Sequence, residues 1–135
     1  QLPRYGLEGF ASAYPNQLSG GMRQRCAVLR TLLPQLDLVL LDEPLGALDS
    51  LTRAELQLWL AEALILQRCT VLFVTHDVEE AIMLGDRIIV LSPRPGRVCL
   101  DISVPLPRPR QRDLLFDSEF LEIRREILGA LGFPT

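Results

Sequence analysis

The stretch LDLVLLDEPLGALDSL, Leu36–Leu51, decides how this chain reads. Leu38–Leu41 form a continuous apolar run that leads directly into Asp42 and Glu43 and is ended by Pro44 and Gly46. A run of that length, stopped by turn residues, predicts a strand buried on both faces. Two carboxylates at the C-terminal tip of such a strand stand where open α/β sheets hold their ligands. The same two acids also suit the start of a solvated loop, and the flanking sequence has to decide.

Downstream, Pro44–Ser50 reads as a tight loop in which Asp49 or Ser50 caps a helix over Thr52–Gln67. Thr52 and Glu55 have capping-box spacing. Leu56, Leu58, Trp59, Leu60, Leu64, Ile65 and Leu66 wrap most of that helix, which predicts deep burial or a covering partner. Thr70–Val74 is rich in β-branched and aromatic residues and predicts a second buried strand, closed by Thr75-His76-Asp77. Val78–Leu84 predicts a short helix, with Glu79 and Glu80 where the helix dipole favours acids and Gly85 as the C′ residue. Arg87–Leu91 and Val98–Val104 read as strands joined by the Ser92–Arg97 turn, and Pro105, Pro107 and Pro109 stop the sheet. Ser118–Leu131 returns to helical periodicity through Phe120, Ile123, Ile127 and Leu131.

Upstream, Ser19 is placed to cap a helix over Met22–Leu33, with Cys26, Leu29 and Leu33 on one apolar stripe. Pro34 ends it, because proline lacks the amide hydrogen and clashes with the preceding turn. Gly20 and Gly21 leave bare backbone N–H groups at the helix start, which suits an anion. An ordinary capped helix accounts for the same residues. Gln1–Gln17 is weakly periodic, with Leu7, Phe10 and Tyr14 at a helical spacing that lets them pack together. Strand, helix, strand, helix and hairpin describe the C-terminal part of an α/β domain.

Composition narrows the function. The chain has 135 residues, 48% of them hydrophobic, enough for one domain with a core. A net charge of -3 argues against a general nucleic-acid binder. All 14 basic residues are arginine, so chemistry that needs a lysine must borrow it from elsewhere. Cys26, Cys69 and Cys99 are scattered and form neither a metal pattern nor a disulfide framework, which fits a reducing compartment. No signal peptide is evident, and the apolar runs are far shorter than the roughly 18 residues of a membrane span. The absence of an initial methionine leads to the expectation of a fragment, or of a first half lying outside these residues. Six arginines against Asp101 alone give Arg87–Arg112 a charge of +5, which suits a phosphate, an acidic partner or a solvated edge.

Three features stand together: the serine-glycine-glycine helix start at residues 19–21, the Asp42-Glu43 pair, and the Thr75-His76-Asp77 strand tip. In a parallel sheet both tips lie on one edge, so His76 is expected near the acids. An aspartate at a strand end can hold Mg²⁺, which prefers hard oxygen ligands. A second carboxylate can orient or deprotonate a water, and a histidine can donate to a terminal phosphate. Capping explains Asp49 and Asp77 equally well, and a lone histidine also serves structural hydrogen bonding. Glu43 is the hardest to explain as structure.

In order and spacing these segments resemble the ATP-binding subunits of ABC transporters. LSGGMRQR (18–25) is similar to the signature motif, LVLLDEP (38–44) to the Walker B strand with its glutamate, GALD (46–49) to the D-loop, and THD (75–77) to the switch histidine. The fold this implies is α/β: the C-terminal part of a P-loop ATPase domain, with a mostly parallel sheet and the end of its helical subdomain. Residues 1–33 would end the helical subdomain, 34–91 would belong to the ATPase core, and 92–135 would form a C-terminal hairpin and helix. Ser19, Gly20 and Gly21 would contact the γ-phosphate of an ATP held by the opposite subunit. Asp42 would serve Mg²⁺, Glu43 would polarise the attacking water, Asp49 would link the two sites, and His76 would sense the γ-phosphate. Gln24 and Arg25 would support the signature helix.

YPNQLSGGMRQR, DEPLGALDSLTR and LSPRPGRV further resemble the ATPase subunits of bacterial importers for nitrate, sulfonates, taurine and related small anions. Such subunits hydrolyse ATP as dimers, here a homodimer, on the cytoplasmic face of the inner membrane. They couple to permease subunits, indirectly to a periplasmic solute-binding protein, and to no nucleic acid. The chain departs from the family in having no GxxxxGK[ST] P-loop, and Ala63–Cys69 is more apolar than is usual there. Two alternatives stay open: a non-catalytic fragment acting as a dimerisation or docking module, and a non-transport ABC ATPase.

Overall fold

The computed structural model describes residues 2–67 and 69–134. Gln1, Thr135, and Arg68 within the apolar 63–69 segment lie outside the described residues. The chain forms two compact units, Gln1–Val74 and Thr75–Thr135.

In the first unit, 3-10 turns at Leu2–Tyr5 and Pro15–Gln17 lead into helix α1 (Gly20–Leu32). Strand β1 (Leu38–Asp42), helix α2 (Ser50–Ile65) and strand β2 (Thr70–Val74) follow. The strands pair in parallel, from Leu38 opposite Thr70 to Asp42 opposite Val74. Helix α1 buries Val28, Leu29 and Leu32. Of the expected stripe only Leu29 is buried, and Leu33 is half exposed. The stripe is rotated by one position, from 29 and 33 to 28 and 32, and both pairs have the same i, i+4 spacing.

Neither strand is buried on both faces. Val39 and Leu41 are buried, whereas Leu38 is 54% and Leu40 63% exposed. In β2, Leu72 and Val74 are exposed in the same way. Successive side chains of a strand point to opposite faces, and the continuous apolar run of β1 supplies two apolar faces of which this unit covers one. Leu7 is buried, while Phe10 and Tyr14 are exposed, so these three do not pack together. The backbone there makes separate turns, with Phe10 N donating to Leu7 O and Ala13 N to Phe10 O, which swings the side chains apart. Helix α2 buries Leu56, Leu60, Ala61 and Ala63 and leaves Ile65 exposed. Its Trp59 meets the edge of Tyr5 at 6.0 Å and lies 5.5 Å from the Arg25 guanidinium carbon.

In the second unit, helix α3 (Val78–Leu84) precedes strands β3 (Arg87–Leu91) and β4 (Val98–Ser103), which pair antiparallel with Arg87 opposite Ser103. A 3-10 turn at Arg112–Phe116 leads to helix α4 (Ser118–Ala130). Ile82, Met83, Ile88, Val90, Val104, Phe120, Ile123 and Ile127 form the core. Gly85 is not a left-handed C′ residue: its φ is -85°. Space explains the glycine, since a Cβ there would stand 2.8 Å from the Ala81 carbonyl oxygen.

Three of the six arginines of the basic stretch are engaged within this unit. Arg87 forms a two-point pair with Asp101, at 2.8 and 2.6 Å. Arg108 bonds Asp86 and the Leu84 carbonyl. Arg110, 3% exposed, donates to the carbonyls of Ile82, Gly85, Val104 and Leu106. Burial, with Arg108 alongside, lowers the Arg110 guanidinium from its ordinary range, and Asp86 opposes that shift. The three cysteines are free thiols. Among the described residues no helix is long and apolar enough to cross a membrane.

Candidate functional site

In the first unit the start of α1, which carries Ser19, Gly20 and Gly21, lies against the loop that runs from Asp42 and Glu43 to Asp49 and α2. Ser19 caps α1, its Oγ accepting from Met22 N at 3.2 Å. A hydroxyl that accepts there keeps its own proton free to donate. The start of α1 lies against the turn before α2: a Cβ on Gly21 would stand 3.0 Å from Thr52 Cγ2, and one on Gly20 would stand 3.9 Å from Leu48 Cδ2. The Gln24 side-chain amide donates to the Pro44 carbonyl, which ties α1 to the loop that follows Glu43.

Asp42 ends β1 and is exposed. The chain then turns sharply at Glu43, whose φ is +41°. A side chain in that left-handed region costs on the order of 1–2 kcal/mol, and strain of this kind concentrates at functional positions. The surrounding hydrogen bonds enforce it. Glu43 N donates to Val74 O at 2.9 Å, and Glu43 O accepts from Gly46 N at 3.1 Å. The Glu43 carboxylate folds back over the turn, its Oε2 lying 3.3 Å from where a Cβ on Gly46 would be. A glycine at position 46 therefore leaves that carboxylate its space.

Asp49 caps α2, its Oδ1 accepting from Thr52 N at 3.1 Å. The hydrogen bonds from the Thr52 side chain and backbone hold its carboxyl below the usual carboxylate range. Arg53 reaches back to the Leu48 carbonyl at 2.9 Å and braces the same turn. The Arg53 contact was not foreseen from sequence; its place four residues after Asp49, one helical turn on, was the available signal.

His76 belongs to the second unit, and it is exposed. Asp77 caps α3, accepting from Glu79 N at 2.8 Å and Glu80 N at 3.1 Å. Thr75 and the buried Glu80 bond one another beside it, a pairing that the strand-tip and helix-dipole readings of the two residues did not suggest.

Among the described residues no three metal-ligating side chains gather around one point. Mg²⁺ keeps several waters and takes only one or two carboxylates plus phosphate oxygens. The exposed carboxylate of Asp42 fits that donor set.

A family profile described as ABC transporter matches residues 1–46. An uncharacterised ABC transporter ATP-binding protein of Methanocaldococcus jannaschii is 51% identical over 126 residues, covering 93% of this chain and 46% of that protein. The aliphatic sulfonates import ATP-binding protein SsuB 2 of Rhodococcus jostii is 47% identical over 131 residues, covering 97% of this chain and 52% of that protein. The chain thus spans about half the length of the relatives it matches. Among solved structures, the ATP-binding cassette MJ0796, a dimeric post-hydrolysis state bound to ADP and Pi, superposes with a TM-score of 0.59 at 37% identity. That match covers 78% of this chain and 45% of the other.

Proposed function

Since the chain belongs to the ABC-transporter ATP-binding family, with the α/β fold of its ATPase domain, we propose that it is part of the ATP-hydrolysing subunit of a bacterial importer for small anions of the nitrate, sulfonate or taurine type. The observation that carries this reading is Glu43, held in a left-handed backbone directly after Asp42 at the tip of a parallel strand. A water-orienting role accounts for a glutamate at that position. The similarity to SsuB supports the anion class.

In this reading residues 1–33 end a helical subdomain, 34–91 belong to the ATPase core and 92–135 form the C-terminal hairpin and helix. Ser19, Gly20 and Gly21 present a hydroxyl and bare N–H groups to the γ-phosphate of an ATP held by a second nucleotide-binding subunit of the same kind. Glu43 orients the attacking water, and His76 donates to the γ-phosphate. Asp49 connects the two sites across the dimer. Asp42 would hold Mg²⁺, which when bound would supply charge neutralisation for the phosphates. The sequence contains no lysine and no GxxxxGK[ST], so the P-loop of each site comes from other residues of the complete subunit. The subunit sits peripherally on the cytoplasmic face of the inner membrane against the permease, which receives solute from the periplasmic binding protein.

The test is Glu43→Gln in the complete subunit assembled with its permease. Phosphate release falls at least about 100-fold, as for loss of a water-orienting base, while ATP binding persists. Unchanged turnover refutes the role. A second reading, that these 135 residues act by themselves as a docking module, follows from the missing lysine. Tight binding of Mg-ATP to this chain in a calorimeter overturns it.

A further inference from the structure

Glu80 has no place in the chemistry above, yet the residue is only 5% exposed. Burying a carboxylate is costly unless hydrogen bonds compensate. The helix dipole does not account for it, because Glu79 serves the same first turn of α3 while remaining only partly buried, 3.5 Å from Arg124. Glu80 instead turns back along the chain. Its Oε2 accepts the Thr75 hydroxyl at 2.8 Å, and the same Thr75 Oγ1 accepts from Asp77 N at 3.0 Å. Asp77 in turn accepts from the backbone of Glu79 and Glu80 through its side chain, and from Ala81 N through its carbonyl. These bonds close a ring of short contacts around residues 75–80, and His76 is the residue between its two pinned ends.

We propose that Thr75 and Glu80 are positioning residues that fix the backbone carrying His76. The proposal rests on the γ-phosphate role given to His76 above. A hydroxyl that donates to Glu80 and accepts from Asp77 N uses both of its functions, so only serine or threonine can close the ring. Valine keeps the shape of threonine and removes both bonds. A backbone so released samples other directions for the imidazole, and an interaction made at the γ-phosphate during hydrolysis suffers more than ATP binding does.

The test uses the complete subunit with Thr75→Val, Thr75→Ser and Glu80→Leu, and reads two quantities. One is amide hydrogen exchange of the peptide covering residues 75–81; the other is kcat and KM for ATP. Thr75→Val is expected to speed exchange at least tenfold and to lower kcat at least tenfold with KM within twofold, and Thr75→Ser to stay near wild type. Unchanged exchange in Thr75→Val overturns the proposal, as does equal behaviour of the valine and serine variants. Should Glu80→Leu fail to fold, the isosteric valine still decides. Faster exchange in valine alone with kcat intact supports the clamp and refutes the role of His76, so the two failures are told apart.

Discussion

Replacing Arg110 by methionine probes what holds the second unit together. The last carbonyls of a helix lack intrahelical donors. In α3, Ala81 O receives Gly85 N, Leu84 O receives Arg108, and Ile82 O receives Arg110 at 2.7 Å. Arg110 also satisfies Gly85, Val104 and Leu106, so one side chain joins the end of α3 to the segment that follows β4. Its own side chain is 1% exposed, whereas its acidic neighbour Asp86 is 79% exposed at 3.8 Å. Asp86 is therefore left solvated in the variant, and the damage falls on the carbonyls. The carbonyls of Ile82 in α3 and of Gly85 just beyond it, left without donors, cost about 1–3 kcal/mol each. Recovering the desolvation of the charge offsets part of that, which leaves a net loss of about 2–4 kcal/mol. Against a domain stability of about 5–15 kcal/mol this is a large fraction. Urea denaturation followed by circular dichroism, with the slope of the transition checked for constancy, measures it. Arg108→Met is the control: its side chain is 27% exposed and serves one carbonyl and an exposed aspartate, so the loss is about 1 kcal/mol or less. A loss at Arg110 no larger than at Arg108 refutes the reasoning.

Three further outcomes are expected. The capped carboxyl of Asp49 lies below its ordinary value, so it binds fewer protons folded than unfolded and its contribution is fully present above an unfolded pKa of about 3.9. That contribution disappears as pH falls through the folded value, so the stability gap between wild type and Asp49→Ala, measured by thermal melts, narrows below about pH 4. Gly21→Ala gains up to about 1 kcal/mol of helix propensity but places a Cβ 3.0 Å from Thr52 Cγ2. Thr52→Ser removes that methyl, so a double-mutant cycle should show Gly21→Ala more favourable in the serine background by about 0.5–1 kcal/mol; zero coupling rejects the contact. Gly85→Ala sets a Cβ against the rigid Ala81 carbonyl at 2.8 Å, and denaturant melts should show a loss of about 1–3 kcal/mol.

Local signals carried far in this chain. The bounds of β2, α3 and β3 were legible as they stand, because Thr70–Val74 and Arg87–Leu91 are β-branched runs between breakers and Asp77 caps the helix between them. Ser19 and Asp49 were readable as caps because capping is a matter of a few neighbouring residues. The rotated stripe of α1 and the exposed Phe10 and Tyr14 were not legible, because which apolar positions face inward depends on what packs against them.

The sequence by itself determined the order of strands and helices, the positions of Ser19, Asp42, Glu43, Asp49 and His76 along it, and the family resemblance those positions carry. All of these follow from residue type and spacing. Only the tertiary structure decided that β1 and β2 cover one face, that Glu43 takes a left-handed backbone, and that Arg110 and Glu80 are buried. For Glu43 and Arg110 the outcome depends on hydrogen bonds between residues far apart in the chain, Glu43 to Val74 and Arg110 to Ile82. A charged side chain looks the same in sequence whether water or a ring of carbonyls surrounds it, and only packing distinguishes the two.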